Sequence, residues 1–84
     1  MTAGVVMKNM KGGDLYTYVA GIVEGLAHAR YIKDGKTTAG RECIFNWFYE
    51  DKTTIRKIYA GFERYPNVLP GQVVGTLAAV KCGA

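Results

Sequence analysis

The sequence predicts an all-α fold, a compact bundle of about four to five helices, within a single domain of 84 residues. Three observations predict it. Apolar residues recur at steps of three and four, the spacing that lines one face of a helix. The alternation of period two that marks a half-buried strand is absent, although the Tyr, Phe, Val and Ile residues of 44–49 and 72–80 favour strands one by one. Capping residues and helix breakers fall between the periodic stretches, at Asp14, Thr37, Thr38, Thr53, Pro66, Pro70 and Gly83.

Residues 3–10 form a short first helix with Val5, Val6 and Met10 as its apolar contacts. Lys11-Gly12-Gly13 ends it, because glycine costs a helix about 1 kcal/mol relative to alanine. Asp14 suits the N-cap of the central helix, which runs from about Leu15 to Tyr31 or Ile32. Leu15, Val19, Ile22, Leu26 and Ala29 share one of its faces. Gly21 and Gly25, with Ala29, leave a smooth stripe on which another helix is expected to pack closely. Residues 34–38 form a polar loop, and Thr37 or Thr38 caps a third helix. Its apolar face is Cys43, Ile44, Trp47 and Phe48, and it ends near Glu50. Asp51-Lys52-Thr53 is a turn. Ile55, Ile58, Tyr59 and Phe62 give the fourth helix its buried face. Pro66 disfavours the helical conformation at Tyr65, so that helix stops close to Arg64. Pro70 suits the first turn of the last helix, Val73, Val74, Leu77 and Val80 form its core face, and Gly83 terminates it. The core is expected to span residues 14–83.

Composition bounds the function. No apolar run reaches the roughly 18 residues of a membrane-spanning helix, so no membrane span is expected. Lys8 interrupts the apolar stretch Met1–Met10, which makes a poor signal sequence. An exported form therefore implies a signal already removed, with Met1 an artefact of expression. The net charge of +4 favours anionic partners. Its densest group, Arg30, Lys33, Lys36 and Arg41, is interrupted by Asp34, too sparse for a nucleic-acid stripe, and no nucleic-acid partner is expected.

The catalytic inventory is thin. The chain contains no serine, and Gly12-Gly13 lacks a phosphate-loop pattern. The seven carboxylates form no evident acid–base pair. His28, the only histidine, lies four residues after Glu24, but zinc needs three or four protein ligands, and neither HExxH nor CxxC spacing is present. No catalytic, cofactor or metal site is expected, and the chain is not read as an enzyme. Cysteine counting leaves two readings open: a disulfide between Cys43 and Cys82, or two reduced thiols. Trp47 and Phe48 are assigned to the core. For the six tyrosines two readings stay open, the edge of the core or an interface.

Four segments carry a resemblance: Tyr18-Val-Ala-Gly21-Ile-Val-Glu24-Gly25-Leu26; Cys43-Ile44 followed by Trp47-Phe48; Phe62 with Tyr65-Pro66; and Pro70-Gly71 with Leu77 and Cys82-Gly83. Over residues 14–83 the chain resembles small exported bacterial proteins of the resistance-associated and Tai immunity families, which protect bacteria against amidase toxins delivered by type VI secretion. Its wider architecture is similar to acid-stress chaperones of the HdeA type. The resemblance implies a helical fold stapled by one Cys43–Cys82 disulfide, a periplasmic location, and a non-enzymatic protein-binding role of immunity or inhibitor type. An HdeA-like stress chaperone is the alternative, although one histidine and few carboxylates argue against an acid switch. No toxin-binding loop carries over from the families. The residues themselves place the partner-binding candidates at the loop after the central helix: Tyr31, Lys33, Lys36 and Arg41. The partner is expected to be another protein, and a homodimer is compatible with the chain.

Overall fold

The computed structural model describes residues 1–83. They form five α-helices: α1 (Ala3–Asn9), α2 (Gly12–Lys33), α3 (Ala39–Phe45), α4 (Thr54–Arg64) and α5 (Pro70–Cys82), with a π-helical turn, Asn46–Glu50, continuing α3. No strand occurs among the described residues, and the Cys43–Cys82 disulfide ties α3 to the last residue of α5. Helix α2 packs against α3 and α5, while α1 packs against α4.

The core is built from one stripe per helix. Val6, Val19, Val23, Ile58, Phe62 and Val74 are fully buried, joined by Ala3, Leu15, Ile44, Trp47, Phe48 and Ala78. Ala3 and Val6 thus bring the first helix into the core. Two of the four free N–H groups at its start are satisfied by the loop after α4: Ala3 N–H donates to the Val68 carbonyl at 2.8 Å, and Gly4 N–H to Pro66 at 2.9 Å. Gly4 is required for this contact, since a Cβ there would lie 2.9 Å from Pro66 Cβ.

The π-helical turn accommodates bulk. It brings the adjacent Trp47 and Phe48 both into the core. Such a turn bonds five residues back rather than four and disturbs the carbonyl ladder. The fully buried Thr54 hydroxyl donates to the Trp47 carbonyl, so this buried polar side chain has its partner.

Several sequence expectations shift in register. Asp14 lies in the first turn of α2 rather than at its N-cap, which is Lys11, with Gly12 in the left-handed region at φ 53°. The buried stripe of α2 is Leu15, Val19, Val23 and Ala27; Ile22 and Leu26 flank it, half-buried, and Ala29 is exposed. Val5 faces solvent, and in α5 Ala78 is buried while Val80 is 83% exposed. The Gly21–Gly25 stripe packs against nothing: a Cβ at either position would meet no atom within 4 Å. Close helix approach occurs instead at Gly61, where a Cβ would lie 2.8 Å from Val73 Cγ1. The end of α4 at Arg64, Pro70 in the first turn of α5 and Gly83 as its C-cap agree with the sequence reading.

Candidate protein interface

The α2–α3 corner gathers the residues singled out in the sequence, but Arg30 plays a different part from its neighbours. Its Nε donates to Asp34 Oδ2 at 2.7 Å, one helical turn on. Its Nη1 donates to the Cys82 carbonyl at 3.3 Å and the Gly83 carbonyl at 2.9 Å. Carbonyls at a helix C-terminus lack intrahelical partners and carry the negative end of the dipole, so a guanidinium is well suited there. Arg30 therefore clasps the end of α5 to α2, beside the disulfide that clasps it to α3. Gly40, buried, makes room for the clasp, because a Cβ there would lie 2.6 Å from both Arg30 Nε and Asp34 Oδ2.

This clasp fixes the loop that follows. Asp34 N–H donates to the Arg30 carbonyl and Lys36 N–H to the Tyr31 carbonyl at 2.8 Å, while the Thr37 hydroxyl donates to the Asp34 carbonyl. Gly35 and Lys36 are both left-handed, at φ 69° and 66°. Glycine adopts that region freely, whereas for lysine it costs about 1–2 kcal/mol. Lys33 and Lys36 are exposed, and Tyr31 and Arg41 are half-buried. The Arg41 guanidinium sits 4.8 Å from the centre of the Tyr31 ring, a cation–π stack that fixes both side chains. The exposed Ile32 adds apolar surface beside them. The structure thus brings Tyr31 and Arg41 into contact, and Lys33 and Lys36 on the same corner have no ion-pair partner among the described residues.

Sequence reasoning missed the role of Arg30, although its spacing of four from Asp34 is the signal for such an ion pair. Glu24 and His28, four residues apart on one helix, show only their spacing in the sequence. The Glu24 carboxylate accepts from the Tyr49 hydroxyl at 2.9 Å. Partial desolvation, and then this bond to a negative partner, raises the Tyr49 phenol above its ordinary range. Tyr49 packs edge-on against Phe48 at 4.9 Å between ring centres, and Tyr16 stacks on Phe48 at 5.6 Å. Trp47 and Phe48 are core, Tyr16, Tyr49 and Tyr65 are exposed, and Tyr18, Tyr31 and Tyr59 are half-buried.

Among the described residues, no three His, Cys, Asp or Glu side chains converge as metal ligands, and no helix is long and apolar enough to cross a membrane. In comparisons with known proteins, no family model matches the chain, and no curated protein or solved structure matches it either.

Proposed function

We propose that this chain is a non-enzymatic binding module of the periplasm, of immunity or inhibitor type, that recognises another protein through the α2–α3 corner. The observation that carries the reading is the preorganisation of that corner. The Arg30 clasp, the disulfide and the Tyr31–Arg41 stack hold the end of α2 with Lys33 and the loop with Lys36, the latter in an unfavourable backbone conformation. Strained backbone persists where the surroundings over-determine it, and such places cluster at binding sites. Fixing the side chains in advance reduces the entropy lost on association. Exposed cations beside a tyrosine and Ile32 suit an acidic protein surface with an apolar centre. The resemblance to immunity families supports the same class. An acid-triggered chaperone needs several groups titrating together, and the single histidine lies exposed on α2.

The test compares affinity capture from periplasmic extract by the wild type and by a Tyr31→Ala, Lys33→Ala, Lys36→Ala variant. The proposal expects a specific protein held by the first and lost by the second, at equal helicity. An unchanged captured partner would remove this corner as the interface. Suppression of client aggregation at low pH, with no partner captured, would favour the chaperone reading.

A further inference from the structure

Helices α4 and α5 meet where Gly61 lies against Val73, and from that contact a furrow opens between them. Toward their connecting loop it is a groove of about 510 Å³ lined by Tyr65, Val68, Thr76 and Leu77. Leu77 also borders the continuation in the other direction, where the lining becomes Trp47, Val80, Lys57, Lys81 and Asp51. Val80 projects from the wall at 83% exposure, and Tyr65 is 51% exposed at the opposite end. The floor is apolar and the ends are cationic. Arg64 lies over the Tyr65 ring, 5.7 Å from its centre, and Lys57 and Lys81 flank the far end. Asp51 is the one acidic residue of the lining among the described residues, and beside two lysines it leaves that end with a single net positive charge. It accepts from the Thr53 backbone N–H at 2.9 Å and from the Thr53 hydroxyl at 2.6 Å, with both lysines near enough to favour its ionised form.

We infer that this furrow docks an amphipathic helical segment of another protein that carries carboxylates near both its ends. The inference rests on the protein-binding reading and adds the chemistry of a partner at a second surface. A helix fits because the furrow lies between two helices, where a third can set its side-chain ridge, and because no described strand offers an edge for an extended peptide. From Gln72 to Lys81 the wall runs about 14 Å at 1.5 Å per residue, between two and three turns of a bound helix. The net charge of +4 disfavours a second copy of this chain as the occupant. An acidic segment meets the opposite condition.

Trp47, the only tryptophan, lines the furrow, so its fluorescence reports occupancy. The probes are a synthetic helix of about three turns with leucines along one face and glutamates at each end, the same peptide with lysines replacing the glutamates, and vesicles of phosphatidylglycerol or phosphatidylcholine. The glutamate peptide is expected to titrate Trp47 saturably. The lysine peptide, and the glutamate peptide against Val80→Glu protein, are expected to bind about tenfold more weakly, as like-charge juxtaposition requires. Val80 is exposed, so the variant should keep its fold, which circular dichroism checks. Equal binding of the two peptides, no binding of either, unchanged affinity in Val80→Glu, or a response to phosphatidylglycerol vesicles alone would overturn the inference. Such a failure is separable from that of the wider reading, because a partner captured through the α2–α3 corner would still be held by Val80→Glu.

Discussion

Replacing both cysteines, Cys43→Ala with Cys82→Ala, should remove about a third or more of the stability. The bond spans 39 positions of sequence. In the chain-entropy model, a closed loop of that size raises the free energy of the unfolded chain by about 4 kcal/mol. Domains of 84 residues have total stabilities of about 4–13 kcal/mol. An unfolding entropy of about 2.1 cal/mol/K per residue converts the loss into a fall of about 20 °C in Tm. The structure adds a second effect. Arg30 holds the Cys82 and Gly83 carbonyls, and the disulfide holds the same turn of α5, so the two clasps should be coupled rather than additive. Losing the covalent clasp should loosen the Arg30–Asp34 pair and with it the α2–α3 corner. The assay is thermal unfolding followed by far-UV circular dichroism, with the wild type oxidised, the wild type reduced, and the double variant. A Tm change below about 5 °C, far under the chain-entropy expectation, would refute this assignment of the disulfide as the principal staple.

The glycines give a contrast within one chain. Gly21→Ala and Gly25→Ala should each stabilise by about 0.5–1 kcal/mol, from helix propensity in open surroundings. Gly61→Ala, whose Cβ collides with the buried Val73, should cost about 1–3 kcal/mol; denaturant midpoints check all three. Lys36→Gly should raise stability by about 0.5–1 kcal/mol by relieving the left-handed lysine, yet weaken capture of the partner. A variant that gained stability and kept full binding would dissociate the strain from function. Partial desolvation and the Glu24 carboxylate hold Tyr49 above the ordinary phenol value of about 10, and burial does the same for Tyr59. The neutral forms are favoured by the fold, so this contribution is complete below about pH 10 and is lost as pH rises through the raised folded values. Stability should fall on the alkaline side, and Tyr49→Phe with Tyr59→Phe should flatten that limb in denaturation measured across pH.

Helix boundaries were legible where chemistry forces them. Pro66 restricts Tyr65, Pro70 starts α5 and Gly83 ends it in a left-handed conformation, and each of these effects is local. The buried stripe of α2 was less legible because apolar residues occur nearly all round the helix. The set 15-19-22-26 follows steps of four and three and the set 15-19-23-27 steps of four throughout, both apolar on one side, and only the placement of α3 and α5 selects the second. Gly21 and Gly25 misled for the same reason: small residues permit close packing but do not summon a neighbour. The π-helical turn had no sequence signal, since it follows from placing two large side chains in succession against a core assembled by distant elements. At the candidate interface, residue types were readable and their partners were not. Arg30 looked like one of four exposed cations, but the carbonyls that bind it are 52 and 53 positions away.

Recognition through the α2–α3 corner is open to direct observation. Its most direct measurement is an amide chemical-shift map of the isotope-labelled protein titrated with the captured partner. The largest shifts are expected on Tyr31, Ile32, Lys33, Lys36 and Arg41, with saturation at the same partner concentration for all five. Shifts confined to the open Gly21–Gly25–His28 face of α2, with that corner unmoved, would contradict it.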